Sequence, residues 1–173
     1  MLDLAQKFIK LDAYRKRLFI RAFFLLGFIR LRLLVTSFKV LVAGLKPHGG
    51  EVLPPLQEPS AQKTARDVGW AVSAAANFTP WKSTCLVQVL AAQRMLKKRR
   101  VAGVFFIGAT NAETENGVPN FQAHAWLMCG GEFITGESGH RDYTVISSFS
   151  WPERRNQDLN EAPSTGQRPV VYV

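Results

Sequence analysis

The chain is poor in the residues that build disulfide scaffolds and metal clusters. It has two cysteines and three histidines in 173 residues. Two cysteines exclude a disulfide-stapled fold, so the structure must stand on a hydrophobic core. Acidic residues are scarce at the N-terminal end, with only Asp3 and Asp12 among the first 46 residues. Long apolar runs are missing there too. The longest charge-free stretch of that segment, Ala22–Ile29, is far short of the roughly 20 apolar residues a membrane span needs. A short basic n-region and a small-residue cleavage site are also lacking, which argues against a cleaved signal peptide. The simplest location is cytoplasmic, or peripheral at the inner face of the membrane.

What is present is sufficient for one domain with an appended element. Hydrophobic residues make up 47% and charged residues 20%, a balance that excludes an intrinsically disordered chain. The formal charge of +9 suggests a nucleic-acid or anionic-surface binder until it is located. Residues 1–46 hold ten basic and two acidic residues, a net +8, and residues 47–173 carry only +1. The near-neutral body shows no basic and aromatic stacking platform, so nucleic acid is not the expected partner.

Residues 1–46 read as a basic amphipathic helical arm, with no proline before Pro47 and a dense run of Leu, Phe, Ile and Val. On one continuous helical projection, Lys10, Arg17, Arg21, Arg32 and Lys39 fall on one side, and Arg30 falls opposite. Arg17, Arg21, Arg32 and Lys39 are thus candidate docking residues for a substrate, a partner or a membrane surface. Most of the remaining circumference is apolar and must be buried, either on the body or at an interface.

Residues 47–60, with four prolines and two adjacent glycines, read as a linker. The domain proper then runs over 61–173. Helices are expected over 61–77 and from Ser83 to about Lys98, the second ending in KKRR, which complements the helix dipole. Short β-like runs follow at 104–109, 123–129, 132–135 and 143–149, with a further candidate at 169–173. A polar loop is expected at 110–120, and Gly130-Gly131 supplies a tight hairpin. Helices first and then an antiparallel meander make an α+β fold.

Cys85 opens the second helix after PWKST, with Ser83 or Thr84 as N-cap. Free N–H groups and the positive end of the dipole there favour a thiolate. His124 begins a later strand in FQAHAW, where a neutral imidazole can take the thiol proton and return it to a leaving amine. With a two-residue turn at Gly130-Gly131, regular pairing sets Glu137 opposite His124, a place from which it can orient the ring. The bland readings are a small buried cysteine and a core histidine. A zinc site from Cys85, Cys129, His124 and His140 is disfavoured because no C-x₂₋₄-C pair exists. Cys129 reads as core packing.

The combination PWKSTCLVQVLAAQRMLKKRR, VFFIGA, FQAHAWLMCGGEFITGE and YTVISSF resembles the lasso-peptide leader peptidases, small transglutaminase-like cysteine proteases that process microcin-type precursors. The likeness covers about residues 61–149. It implies a papain/transglutaminase-like core, with a Cys-bearing helix packed on a small antiparallel sheet. It also implies Cys85 as nucleophile and His124 as general base. The family's third member is an acid, usually Asp. This chain has ITGE at that place, so Glu137 is the candidate and Asp142 the alternative.

The resemblance further implies action on a precursor's leader, together with a separate leader-recognition protein and an asparagine-synthetase-like, ATP-dependent macrolactam cyclase, with neither cofactor nor metal required for the proteolysis. The arm is too short and too poor in strand pattern for a fused winged-helix recognition module. Two other readings remain open: a transglutaminase-like acyltransferase or amidase using the same Cys–His pair, and a non-catalytic membrane-surface scaffold.

Overall fold

A computed structural model of the chain describes residues 11–48, 58–113 and 119–151. The first described helix, α1 (Ala13–Val35), starts at Asp12, whose side chain accepts the Arg15 backbone N–H at 2.7 Å. This satisfies one of the donors that a helix start leaves open. The helix stops at Thr36, where both the backbone N–H and the hydroxyl bond the Arg32 carbonyl. A five-residue helix, α2 (Phe38–Val42), follows. N-terminal helices are present, but the placement of Lys39 on the same stripe as Arg17 and Arg21 is corrected. The Thr36–Ser37 break resets the helical phase, and Lys10 lies outside the described residues.

The arm is a docked element. Leu18, Ala22, Leu26 and Ile29, spaced by four and three, are all buried in the main core. They pack on α3 (Pro59–Ala76) and α4 (Cys85–Lys98). The α1–α3 contact also carries a buried acid. Asp67 accepts from Lys63 at 2.9 Å and lies 3.7 Å from Arg15, so its charge is paired where water is scarce.

Helix α3 has Pro59 in its first turn, where a missing N–H costs nothing, and an alanine-rich buried face. Gly69 on that face is required by the packing. A Cβ there would meet the Ile134 carbonyl oxygen at 2.6 Å, so α3 lies directly on strand β4. Helix α4 ends after Lys97 and Lys98, with Arg100 at φ 59 and the Val101 N–H reaching back to the Leu96 carbonyl.

Among the described residues five strands form one antiparallel sheet: β1 (Lys46–Pro47), β2 (Gly103–Glu113), β3 (Pro119–Cys129), β4 (Glu132–Thr135) and β5 (Thr144–Trp151). Their order is β1-β5-β2-β3-β4. The expected meander holds for β2, β3 and β4 only. β5 returns across the sheet to pair with the far side of β2, and β1 adds to its edge through Lys46 and Pro47. The linker expected from residue 47 thus begins inside a strand. The β2–β3 hairpin runs from Val104↔Met128 to Glu113↔Pro119, so strand replaces much of the expected polar loop. The candidate strand at 169–173 lies outside the described residues.

The two sheet faces have different jobs. Phe105, Ala125, Leu127, Cys129 and Trp151 join the helices in the main core. Val104, Trp126 and Met128 form a second, smaller cluster with Phe106, Phe133 and Tyr143 on the face turned away from the helices. Such alternation is what a strand's two-residue period produces.

Candidate active site

The segment before Cys85 is tied down at both ends. Phe78 meets Phe19 edge-on, and Trp81 lies 5.5 Å from Phe23, both on α1. Trp81 also covers Gly27, where a Cβ would fall 2.8 Å from the indole ring. The mid-helix glycine thus makes room for a tryptophan. Within the loop, the Thr79 hydroxyl sits 3.0 Å from the Ala76 and Trp81 carbonyls and 2.9 Å from the Ser83 hydroxyl. Gln88 donates its side-chain amide to the Ser83 carbonyl at 3.0 Å. Thr84 takes the N-cap position with extended backbone but makes no side-chain cap bond. Cys85 opens α4 half-buried, packed against the main core, and is a free thiol.

His124 comes from β3, where it pairs with Gly108 of β2. Its ring stacks against Trp126 at 5.9 Å and tilts against Tyr143 at 5.2 Å. Gly108 makes this packing possible, since a Cβ there would fall 2.7 Å from the Tyr143 Cβ and 2.9 Å from the Trp126 ring. The ring's Nε2 lies 2.8 Å from the Gly136 carbonyl oxygen. A carbonyl only accepts, so Nε2 carries a proton and donates it, and in the neutral imidazole Nδ1 is then the nitrogen with the lone pair. Among the described residues no hydrogen bond joins Cys85 to His124. The thiol packs with the main core, whereas the imidazole lies with Trp126 and Tyr143.

Glu137 does not sit opposite His124. The hairpin pairs Cys129↔Glu132 and Met128↔Phe133 as expected, but then Leu127↔Thr135, leaving Ile134 as an extra residue. This bulge shifts everything beyond it by one position. Gly136, at φ 76, is pressed against Ala125 and Trp126, and its carbonyl takes the place where a carboxylate was expected. The Glu137 side chain is exposed, and its backbone carbonyl accepts from His140 Nδ1 at 2.6 Å. Asp142 is exposed at the end of a short 3-10 turn, His140–Asp142, and makes no bond to the imidazole.

Sequence reasoning missed Gly136, Tyr143, Thr79 and Gln88. The glycine in ITGE was a signal of positive φ just after a strand. Nothing local marked the others. The docking candidates are also dispersed. Arg17, Arg21 and Lys39 are exposed, while Arg32 is half-buried against Phe28.

The second cysteine has another character. Burial, and then the nearby Glu132, push the Cys129 thiol up to about 12, so it stays protonated at neutral pH. Among the described residues no three His, Cys, Asp or Glu side chains come together in a way that would hold a metal ion. Nor is any described helix long and apolar enough to cross a membrane.

A family model described as the transglutaminase-like superfamily matches residues 32–148, from the end of α1 into β5, a range that includes both Cys85 and His124. No curated protein and no solved structure matches the chain significantly.

Proposed function

The chain belongs to the transglutaminase-like superfamily, which includes cysteine peptidases and acyltransferases, and on that premise we propose that it is a cysteine peptidase removing the leader from a ribosomally made lasso-peptide precursor. The observation that carries the chemistry is the hydrogen bond from His124 Nε2 to the Gly136 carbonyl. With Nε2–H held by the Gly136 carbonyl, Nδ1 is left as the basic nitrogen. The motif combination around AHAW and STC supports the substrate class.

Cys85 Sγ gives its proton to His124 Nδ1 and attacks a backbone carbonyl at the leader–core junction. The S–C bond forms, and the carbonyl electron pair moves onto oxygen. The Cys85 backbone N–H, at the start of α4, stabilises that oxyanion. Collapse of the intermediate breaks the peptide C–N bond, and the imidazolium supplies the amine with its proton. Water then hydrolyses the thioester and regenerates the thiol. The scheme requires a thiol–imidazole contact that is not made among the described residues, where Cys85 packs with the main core and His124 with Trp126 and Tyr143, so substrate binding has to bring the two groups together. Glu137 and Asp142 are peripheral in this scheme, since a backbone carbonyl orients the ring.

A separate recognition protein presents the leader, and the freed core amine passes to an ATP-dependent, asparagine-synthetase-like cyclase on the cytoplasmic side. The superfamily's acyltransferases make the second reading specific: an amine acceptor in place of water. Mass spectrometry of a precursor peptide incubated with the chain and its recognition protein tests both. Leader and core fragments that Cys85→Ala abolishes are expected. An amine adduct replacing them would transfer the assignment to acyl transfer, and cleavage retained by Cys85→Ala would overturn the nucleophile.

A further inference from the structure

Helix α1 is apolar on two sides. Its inner side fills the core through Leu18, Ala22, Leu26 and Ile29. Its outer side carries Ile20, Phe24, Phe28, Leu31, Leu34 and Val35, all exposed, with Phe24 at 70% and Leu31 at 60%. On a 100° projection these outer residues lie across the helix from the buried line. The helix is therefore not amphipathic in the sense the sequence suggested. Over the whole helix, Arg and Lys occur six times and Asp and Glu not at all. Arg17 and Arg21 flank the ridge near its start, exposed and without an ion pair among the described residues.

At the other end two guanidinium groups converge. Arg32 of α1 and Arg94 of α4 stand 6.0 Å and 5.7 Å from the ring centroid of the same residue, Phe28. No carboxylate bridges them among the described residues, and Arg32 Nε is buried without a hydrogen-bond partner. Burial and the charge of Arg32 lower the Arg94 guanidinium from its ordinary value, the signature of two cations short of an anion.

We infer that the outer ridge of α1 lies in the interface of an anionic membrane, with a lipid phosphate held between Arg32 and Arg94. The ridge from Ile20 to Val35 runs about 22 Å at 1.5 Å per residue. It projects from one helix as bulky hydrocarbon with guanidinium groups along its flanks. A deformable acyl boundary covers such a ridge, and the flanking arginines reach the headgroup phosphates. The absence of acidic residues on the helix complements an anionic surface along its whole length. This inference stands apart from the Cys–His chemistry.

Co-sedimentation of the full chain with vesicles tests it, comparing phosphatidylcholine alone with phosphatidylcholine containing about 30% phosphatidylglycerol, an anionic surface. Binding to the anionic vesicles only, weakened by salt and kept by Cys85→Ala, is expected. Arg17→Gln, Arg21→Gln and Arg32→Gln should each weaken it about fivefold. Phe24→Glu with Leu31→Glu should abolish it while the thermal midpoint is unchanged. Equal binding to both vesicles, or none to the anionic ones, overturns the inference. So does a dimer that Phe24→Glu with Leu31→Glu dissociates, since a second copy would then be the occupant. A fall in thermal midpoint in that double variant also overturns it, because the ridge would then be packed within the chain itself. If that variant does not fold, the three arginine variants decide.

Discussion

His124 donates its Nε2–H to the backbone carbonyl of Gly136 at 2.8 Å. In the proposed mechanism this bond makes the group that orients the base a neutral carbonyl placed by backbone geometry. Gly136→Ala should therefore act on catalysis through position. At φ 76 a side chain costs about 1–2 kcal/mol, and the new Cβ would press on the Ala125 carbonyl and move Gly136 off the strand. The expected result is a fall in kcat of more than about tenfold at little changed KM, as for a displaced base. Gly139→Ala is the control. It has the same φ, but its nearest neighbour is an Asp142 oxygen 3.8 Å away, so activity should persist. Equal losses in both would make the effect one of general strain.

Glu137→Gln and Asp142→Asn should each leave kcat/KM within about threefold of the parent, because neither side chain bonds the imidazole. A large loss confined to Glu137→Gln would restore a carboxylate to the third position.

The two thiols should separate chemically. Cys85 is half-buried at the start of α4, whereas Cys129 is buried with its thiol pushed up to about 12. Iodoacetamide near neutral pH should label Cys85 in the folded chain, and Cys129 only after denaturation. Peptide mapping reads this directly. Early labelling of Cys129 would contradict the packing of the sheet on its helices.

Gly69→Ala sets two effects against each other. Alanine favours a helix interior by about 1 kcal/mol, but overpacking against the Ile134 carbonyl costs about 1–3 kcal/mol. The clash is with backbone, which cannot rotate away. Net destabilisation of up to about 2 kcal/mol is expected from denaturant unfolding. A stabilised variant would mean that α3 does not lie on β4 this closely.

Arg66 and Glu132 tie α3 to β4 through paired bonds of 2.8 and 2.6 Å. The hydrogen bond from Arg66 holds the Glu132 carboxyl below its ordinary 4.5. A carboxylate with a lowered folded value stabilises the fold above its unfolded value and loses that contribution as pH falls through the folded one. The gap in thermal midpoint between parent and Glu132→Gln should thus be present at neutral pH and close as pH falls from the ordinary carboxylate range through the lowered folded value. Exposure of the pair keeps that gap small.

Much of the framework was legible in the sequence because it is locally encoded. The Ala-rich stretch and the run after Ser83 became α3 and α4 within a few residues, and Glu132–Thr135 became β4. Gly130-Gly131 set the first two pairs of its hairpin. Cys85 was recognisable at a helix start, and His124 on a strand. The register beyond β4, which set Glu137 opposite His124, differs because regular pairing does not continue through Ile134. A bulge has no sequence period of its own, and here it lies where α3 crosses β4 at Gly69.

The sequence by itself determined the two helices α3 and α4, the placement of Cys85 at a helix start and of His124 on a strand, and the confinement of the charge to one end. Period, turn chemistry and composition all act over a few residues, so they can be read along the chain. Only the tertiary structure decided that β5 pairs with β2, that a carbonyl orients His124, and that α1 is apolar outside as well as inside. Each of these depends on which surfaces meet across the fold. A helix burying one apolar line shows its second apolar side only once the first has been filled.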